Sequence, residues 1–305
     1  MTLDALRCFC AVVEAGGFRA AAERVHRSQP AVSQQLKSLE RSAGRLLIDR
    51  RTCRPTALGQ IVYKRARAIL QAAAMLAREI ADADETPGRE LRLGVSDTTA
   101  LYLLPGHVRR FTQAMPQTRL VMVTRNSDAV AEGVLRGELD LGLVTLPLRH
   151  PDLEEEPLFR QRLVLAVPAG HRLARRRKVR FAELRDESVL LIDAHTRTGA
   201  MLRNAFQDAG FTPQTIMDSG SFEVIKRYIA EGLGVSFLPE YVLNDDDGAI
   251  RAAAVSGLPE IFIGAVWQKS AYLARAERVF LGLLRETAAM RKPEKKRRQG
   301  QAGQQ

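Results

Sequence analysis

The segment Ser28-Gln29-Pro30-Ala31-Val32-Ser33-Gln34-Gln35-Leu36-Lys37-Ser38-Leu39-Glu40 leaves the chain few choices. A proline inside a helix removes a hydrogen bond and clashes with the preceding turn, so Pro30 admits a helix only in its first turn. Ser28 is a good N-cap and fixes the start. From there Val32, Leu36 and Leu39 fall on one stripe at 100° per residue. Pro30, Ser33, Gln34, Lys37 and Arg41 fall on the opposite side, within an arc of roughly 100°. One face suits a core, and the other presents amide, hydroxyl and cationic ends. A solvated surface helix would carry the same pattern, so the neighbouring sequence has to decide.

Upstream, Leu3, Leu6, Cys10 and Val13 recur at helical spacing with Phe9 beside them, which predicts a helix over Leu3–Glu14 ended by Gly16-Gly17. Phe18 follows as an apolar plug, and Arg19–Val25 reads as a short Ala-rich helix whose small residues permit close approach. His26-Arg27-Ser28 is a tight turn into the helix above. Two short helices joined by such a turn, the second with a polar outer face, form a helix-turn-helix. Downstream, Leu46-Leu47-Ile48 gives way to Asp49-Arg50-Arg51-Thr52-Cys53-Arg54-Pro55, a basic hairpin read as a wing. Its arginines suit phosphates or a narrow minor groove.

Charge placement agrees. Of the formal net charge of +11, residues 1–57 hold ten Lys/Arg against five Asp/Glu, and residues 291–305 hold six against one. The long middle is nearly neutral. A basic N-terminal block on a neutral body suggests a polyanion-binding module joined to something else. The length of 305 residues suits about two domains. There is no apolar run of membrane-spanning length and no signal-peptide pattern at Met1–Arg7, so a cytoplasmic location without membrane contact is expected. Cys8, Cys10 and Cys53 match neither a disulfide framework nor a zinc site, and no metal or cofactor is expected.

Phe9, Ala15-Gly16, Phe18, Ala21-Ala22, Ser28-Gln29-Pro30-Ala31-Val32-Ser33, Leu36, Leu39-Glu40, Gly44, Leu47, Arg50, Thr56 and Gly59 resemble, in order and spacing, the DNA-binding domain of the LysR-type bacterial transcriptional regulators. The resemblance implies that residues 1–57 form a winged helix-turn-helix that puts the Gln29–Arg41 helix in the major groove of promoter DNA. It implies DNA contacts by Ser28, Gln29, Pro30, Ser33, Gln34 and Lys37, with Arg50, Arg51 and Arg54 of the wing on the backbone. Residue chemistry agrees, because Gln pairs bidentately with adenine, Ser serves either kind of base edge, and Lys and Arg suit phosphates. Two positions depart from the family pattern: Gly17 stands where a Ser cap is common, and Ile48 where an aromatic is common. Both bear on packing rather than on the DNA face.

No proline interrupts the chain from Ala57 to Asp84, which predicts a helix of about 40 Å. Val62, Ala66, Ile69, Ala73, Leu76 and Ile80 are spaced 4, 3, 4, 3, 4, a heptad seam. Residues 58–86 therefore read as a linker helix that pairs with a second copy. The resemblance implies a homodimer or homotetramer, with RNA polymerase left open as a further partner on the nucleoid.

The remainder alternates β-rich runs with helical patterns, the signature of an α/β domain over residues 90–290. Leu91–Val95, Leu120–Thr124, Leu139–Val144, Arg162–Pro168, Val189–Ile192 and Ile261–Trp267 are the expected strands. Gly137–Gly142 and Glu231–Pro239 resemble the regulatory domain of the same family. That resemblance implies a two-lobed, periplasmic-binding-protein-like fold, with lobe one at about 90–165 and 265–290 and lobe two at about 166–264. Ligands in such folds sit at strand carboxyl ends and helix N-termini. Ser96, Thr98 and Thr99, then Asn126 and Ser127, Thr145, then Thr196, Arg197 and Thr198, and lastly Ser221 and Phe222 occupy such places. Hydroxyls and helix N-termini suit a small carboxylate or similar anion, with Arg197 as counter-charge, whereas Asp97 and Asp193 would favour an amine or a polyol. Each hydroxyl alone also reads as an N-cap.

An enzyme is not expected. The five histidines are scattered, and there is no Gly-x-Ser-x-Gly elbow, His-x-x-x-His pair or phosphate-binding glycine loop. The expected function is a sequence-specific regulator adjusted by a small-molecule effector. The tail 291–305 is basic, poor in apolar residues and expected to be disordered.

Overall fold

The computed structural model describes residues 1–83, 90–244, 247–258 and 260–290. The basic tail and the segment Thr86-Pro87-Gly88 lie outside them. The chain divides into two units, Met1–Thr86 and Pro87–Gln305.

In the first unit α1 is Leu3–Ala15, α2 Phe18–Arg24, α3 Gln29–Ala43 and α4 Ala57–Ala83. Each boundary has a local cause. Thr2 caps α1 by accepting the Ala5 N–H, Gly16 and Gly44 end α1 and α3 in the left-handed region, and Ser28 caps α3. Gly17, standing where a Ser is common, begins α2 without a side-chain cap. Phe9, Val12, Val32, Leu36, Leu39, Leu47 and Ile48 are fully buried together. Each such side chain contributes about 1.5–3 kcal/mol on burial. After α3 an antiparallel bridge pairs Ile48 with Pro55 and closes the hairpin between them. Gly59, in the first turn of α4, lies so close under Leu47 that an added Cβ would stand 2.0 Å from the Leu47 carbonyl oxygen. Only glycine lets the wing and α4 meet there.

The expected heptad seam on α4 is split. Ala66 is buried, and Val62 packs with Tyr63 and Leu70 into this unit's own core, while Ile61, Ile69, Leu76 and Ile80 stay exposed. The reason is length: Val62 and Ile80 lie five full turns apart on one side of the helix, but this unit's core reaches along α4 only as far as Leu70, and the seam positions Leu76 and Ile80 run on past it.

Among its described residues the second unit holds two sheets and a strand pair. β1 (Glu90–Val95), β2 (Arg119–Thr124), β3 (Leu141–Leu146), β4 (Leu153–Gln161) and β11 (Ile261–Gln268) form a five-stranded sheet in the order β2-β1-β3-β11-β4. Its first three strands are parallel, and β11 runs antiparallel to both its neighbours. Helices α5 (Asp97–Tyr102), α6 (Pro105–Ala114), α7 (Ser127–Leu135) and α10 (Arg275–Met290) accompany this lobe. The second lobe contains β5 (Leu163–Pro168), β6 (Lys178–Val179), β9 (Ser236–Pro239) and β10 (Ile250–Val255), in the order β6-β10-β5-β9. It also contains the parallel pair β7 (Ser188–Ile192) and β8 (Gln214–Ser219), with α8 (Arg197–Asp208) and α9 (Phe222–Ala230).

The chain crosses between lobes at Arg162 and again between Val255 and Ile261. Both crossings come a few residues earlier than the sequence suggests. The apolar run Leu163–Val167 belongs to the second lobe through its pairing with β9 and β10. The first half of β11 pairs with β3 and the end of β4, which keeps it in the first lobe.

Candidate nucleic-acid interface and ligand cleft

The polar face of α3 is open. Ser28, Gln29, Pro30, Gln34 and Lys37 are exposed and Ser33 is half-exposed, while Val32, Leu36 and Leu39 are fully buried beneath them. The Ala31 N–H donates to Ser28 Oγ at 3.4 Å. That side chain is thus partly committed to starting the helix.

Glu40 sets the position of the wing. Its carboxylate is buried and accepts the Leu47 N–H at 2.9 Å, the Ile48 N–H at 3.3 Å and the Arg50 guanidinium at 2.5 Å. Arg50 also stands over the Phe18 ring, 5.6 Å from its centroid. This qualifies the role read for Arg50 from sequence. Its charge is already paired, so it acts first as a clamp from wing to helix. Arg51 and Arg54 are exposed at the hairpin tip. There Asp49 Oδ1 accepts the Arg51 and Thr52 N–H groups at 2.8 and 3.2 Å. Beside the wing, Lys37, Arg41, Arg45 and Arg50 line one shallow recess with Leu46. The sequence puts Arg41 on the polar face of the helix but marks neither it nor Arg45 as a contact.

Of the three cysteines, Cys8 and Cys10 are buried, and all three are free thiols. Burial, with Glu14 nearby, pushes the Cys10 thiol up to about 12, so it stays protonated and unreactive.

In the second unit a cavity of about 330 Å³ lies between the lobes. Ser96, Thr98, Thr99, Asn126, Ser127, Thr145, Thr196, Arg197, Thr198 and Phe222 all line it. Ser221 does not: no helix-capping bond forms from its side chain, and its N–H donates to Ser219 Oγ. Asp97 lines the cavity as well, whereas Asp193 is turned to cap the following turn by accepting the His195 N–H.

Much of this set already serves the backbone. Ser96 Oγ accepts the Thr99 N–H at 3.2 Å and donates to Thr99 Oγ1 at 2.9 Å. Asn126 Oδ1 accepts the Ala129 N–H at 2.9 Å, and Thr196 Oγ1 accepts the Gly199 N–H at 3.0 Å. Ser127 Oγ accepts the Thr145 N–H at 3.0 Å, which ties α7 to β3. Gly199 seats α8 against the end of β7, since a Cβ there would meet the Asp193 carbonyl oxygen at 2.0 Å. These caps bring the starts of α7 and α8 to one cavity, where first-turn N–H groups without intrahelical acceptors favour an anion.

Arg197 does not wait as a free counter-charge. It donates to Asp128 Oδ1 at 2.7 and 3.0 Å and to the Pro147 carbonyl at 2.5 Å, a strap from one lobe to the other. A second strap joins Tyr102 of α5 to Glu223 of α9, with Lys226 over the Tyr102 ring. Burial, and then the Glu223 carboxylate, hold the Tyr102 hydroxyl protonated by raising its pKa. Arg125 also lines the cavity, its Nη1 3.8 Å from Glu138.

Sequence reasoning did not pick out Gln161, Tyr241, Ile192 or Ile263, which also line the cavity. Gln161 ends β4, whose acidic stretch Glu154-Glu155-Glu156 hid the strand.

Two family models match the chain: "Bacterial regulatory helix-turn-helix protein, lysR family" over residues 3–60 and "LysR substrate binding domain" over residues 84–289. The Hca operon transcriptional activator HcaR of Escherichia coli (strain K12) is 30% identical, covering 95% of this chain and 99% of its own. A full-length OxyR variant from Pseudomonas aeruginosa is 27% identical with a TM-score of 0.72, covering 95% of each chain. Full-length CbnR, solved in complex with its target DNA, is 25% identical with a TM-score of 0.59, covering 94% of this chain and all of its own.

Proposed function

Because the chain belongs to the LysR family of transcriptional regulators, with a DNA-binding helix-turn-helix and an effector-binding domain, we propose that a small anion held between its two lobes sets its activity on promoter DNA. The cleft of about 330 Å³, with the starts of two well-capped helices turned to it, carries this reading. A volume near the small end of ligand pockets suits a compact metabolite. All three cysteines fall within the first 53 residues, so the effector domain holds no thiol to sense oxidants, which favours a bound ligand as the signal.

The contacts expected with DNA are base edges for Gln29, Ser33 and Gln34, and phosphates for Ser28, Lys37, Arg51 and Arg54. Pro30 packs beside them in the first turn. Arg50 contributes by holding the wing. A second copy is expected along α4, because Ile61, Ile69, Leu76 and Ile80 leave an apolar face uncovered. A dimer or tetramer would present paired α3 helices to half-sites in the bacterial nucleoid. The effector works by favouring one arrangement of the lobes, which the Arg197 and Tyr102 straps help to define.

DNA recovered with the protein from cells supplies the operator for footprinting with and without candidate anions. The expected result is one defined protected region whose extent or affinity changes with the anion. Ser96→Ala with Thr98→Ala should remove that response and leave the footprint of the free protein. Broad protection without a preferred site would favour an architectural role instead.

A further inference from the structure

Resting on the cleft reading above, we infer that the effector pairs its anionic group with a hydroxyl or amino group, which Gln161 receives. Gln161 is only 4% exposed, lines the cavity, and its Oε1 is buried without a hydrogen-bond partner among the described residues. A buried polar group left in this way costs about 1–3 kcal/mol. Structures keep such groups where a ligand, water or ion completes them. Around it the lining includes the apolar Ile192, Ile263 and Phe222, which offer the amide no hydrogen bond.

A second acceptor points the same way. Asp97 lines the cavity and uses only Oδ1, which takes the Thr98 N–H at 2.8 Å and the Thr98 hydroxyl at 3.3 Å. Asp97 is only half-buried, so its Oδ2 is open to water or to a donor on a ligand. A plain carboxylate has only acceptors when ionised, and would leave Gln161 Oε1 unmet. A hydroxycarboxylate or an amino acid supplies the missing donor while its carboxylate meets the starts of α7 and α8. Gln161 also ends the strand from which the chain crosses into the second lobe. Filling its bond thus places the ligand where the chain crosses between the lobes.

The test is titration calorimetry on the full-length protein with three matched sets: propanoate, lactate and alanine; succinate, malate and aspartate; benzoate, 3-hydroxybenzoate and 3-aminobenzoate. In at least one set a donor-bearing member should bind about tenfold tighter than its plain partner, the worth of one good hydrogen bond. Gln161→Met should bring the two affinities together. The same substitution should leave the melting temperature of the unliganded protein unchanged or higher, because it removes an unmet polar group without opening a cavity. A drop of several degrees would make Gln161 structural and overturn the inference. So would equal affinity of plain and donor-bearing members, a preference that survives in Gln161→Met, or no binding by any member below roughly 10 mM. Loss of binding to both kinds in Ser96→Ala with Thr98→Ala, alongside equal affinities, would sink the inference and leave the cleft standing. Full retention of binding in that double variant would overturn the cleft reading itself.

Discussion

The reading face of α3 and the cleft are built on opposite principles. On α3 the side chains expected to meet DNA come from one short stretch rather than from distant segments: Gln29, Ser33, Gln34 and Lys37 share one face of one helix. Most have no task inside the protein, and the folded unit supports them from below through Val32, Leu36 and Leu39. In the cleft the lining comes from many segments, from Ser96 to Ile263, and Ser96, Asn126, Ser127 and Thr196 hold helices in place while they face the cavity. The first arrangement lets a binding surface change with little cost to folding. The second couples ligand contact to the conformation of the domain, as an effector site requires.

Glu40→Ala should have the largest effect, because it removes the buried carboxylate that ties the reading helix to the wing. Without the carboxylate the buried Leu47 and Ile48 N–H groups lose their acceptor, at about 1–3 kcal/mol each, while the exposed Arg50 turns to water. Urea unfolding should show that loss in the first unit, and gel shifts should show weaker binding to every DNA. A variant as stable as the parent would mean that Glu40 does not set the wing.

Gln29→Ala should separate recognition from folding. Losing a bidentate base contact costs about 1–3 kcal/mol of discrimination, while an exposed helix position should change stability by no more than about 0.5 kcal/mol. Competition gel shifts with operator variants read the first and thermal melts the second. An unchanged sequence preference would remove Gln29 from the reading face.

Thr196→Ala should do the opposite in the cleft and cost both things at once. Loss of its cap on α8 lowers stability by about 1 kcal/mol, and the effector-dependent change in the footprint should weaken with it. An effect on stability alone would make Thr196 only a cap.

The smallest effect is expected at Glu183, which belongs to neither site. The Arg180 N–H, with Arg176 beside it, holds this carboxyl down to about 2. A depressed carboxyl adds stability above its unfolded pKa that disappears as pH falls through the folded value. Acid titration of Glu183→Gln should therefore follow the parent near pH 2 and fall slightly below it near pH 5. A difference that grows as pH falls would reverse the sign and refute the assignment.

The first unit was almost fully legible in the sequence because its determinants are local. Ser28, Pro30 and Gly44 fix the ends of α3 wherever the chain places it, and Gly16 ends α1 in the same way. The heptad on α4 was legible as helix but not as surface, since how far the core covers it depends on the packing around Val62, Ala66 and Leu70. In the second unit, helix starts such as Ser96, Asn126 and Thr196 were visible as cap chemistry, and that alone led to most of the cleft. Gln161 and Tyr241 carried no local signal. One ends an acidic strand, the other follows β9, and nothing in their neighbourhoods distinguishes them from ordinary surface residues.

The sequence by itself thus determined the family, the reading helix and its polar face, because caps, glycines and helical periodicity act within a few residues. Only the tertiary structure decided that Arg50 is spent on Glu40, that Arg197 straps the lobes together, and that Gln161 is left with an unmet bond in the cleft. Those outcomes depend on which charges and amides meet across long stretches of chain, and pairing at that distance is set by packing rather than by neighbouring residues.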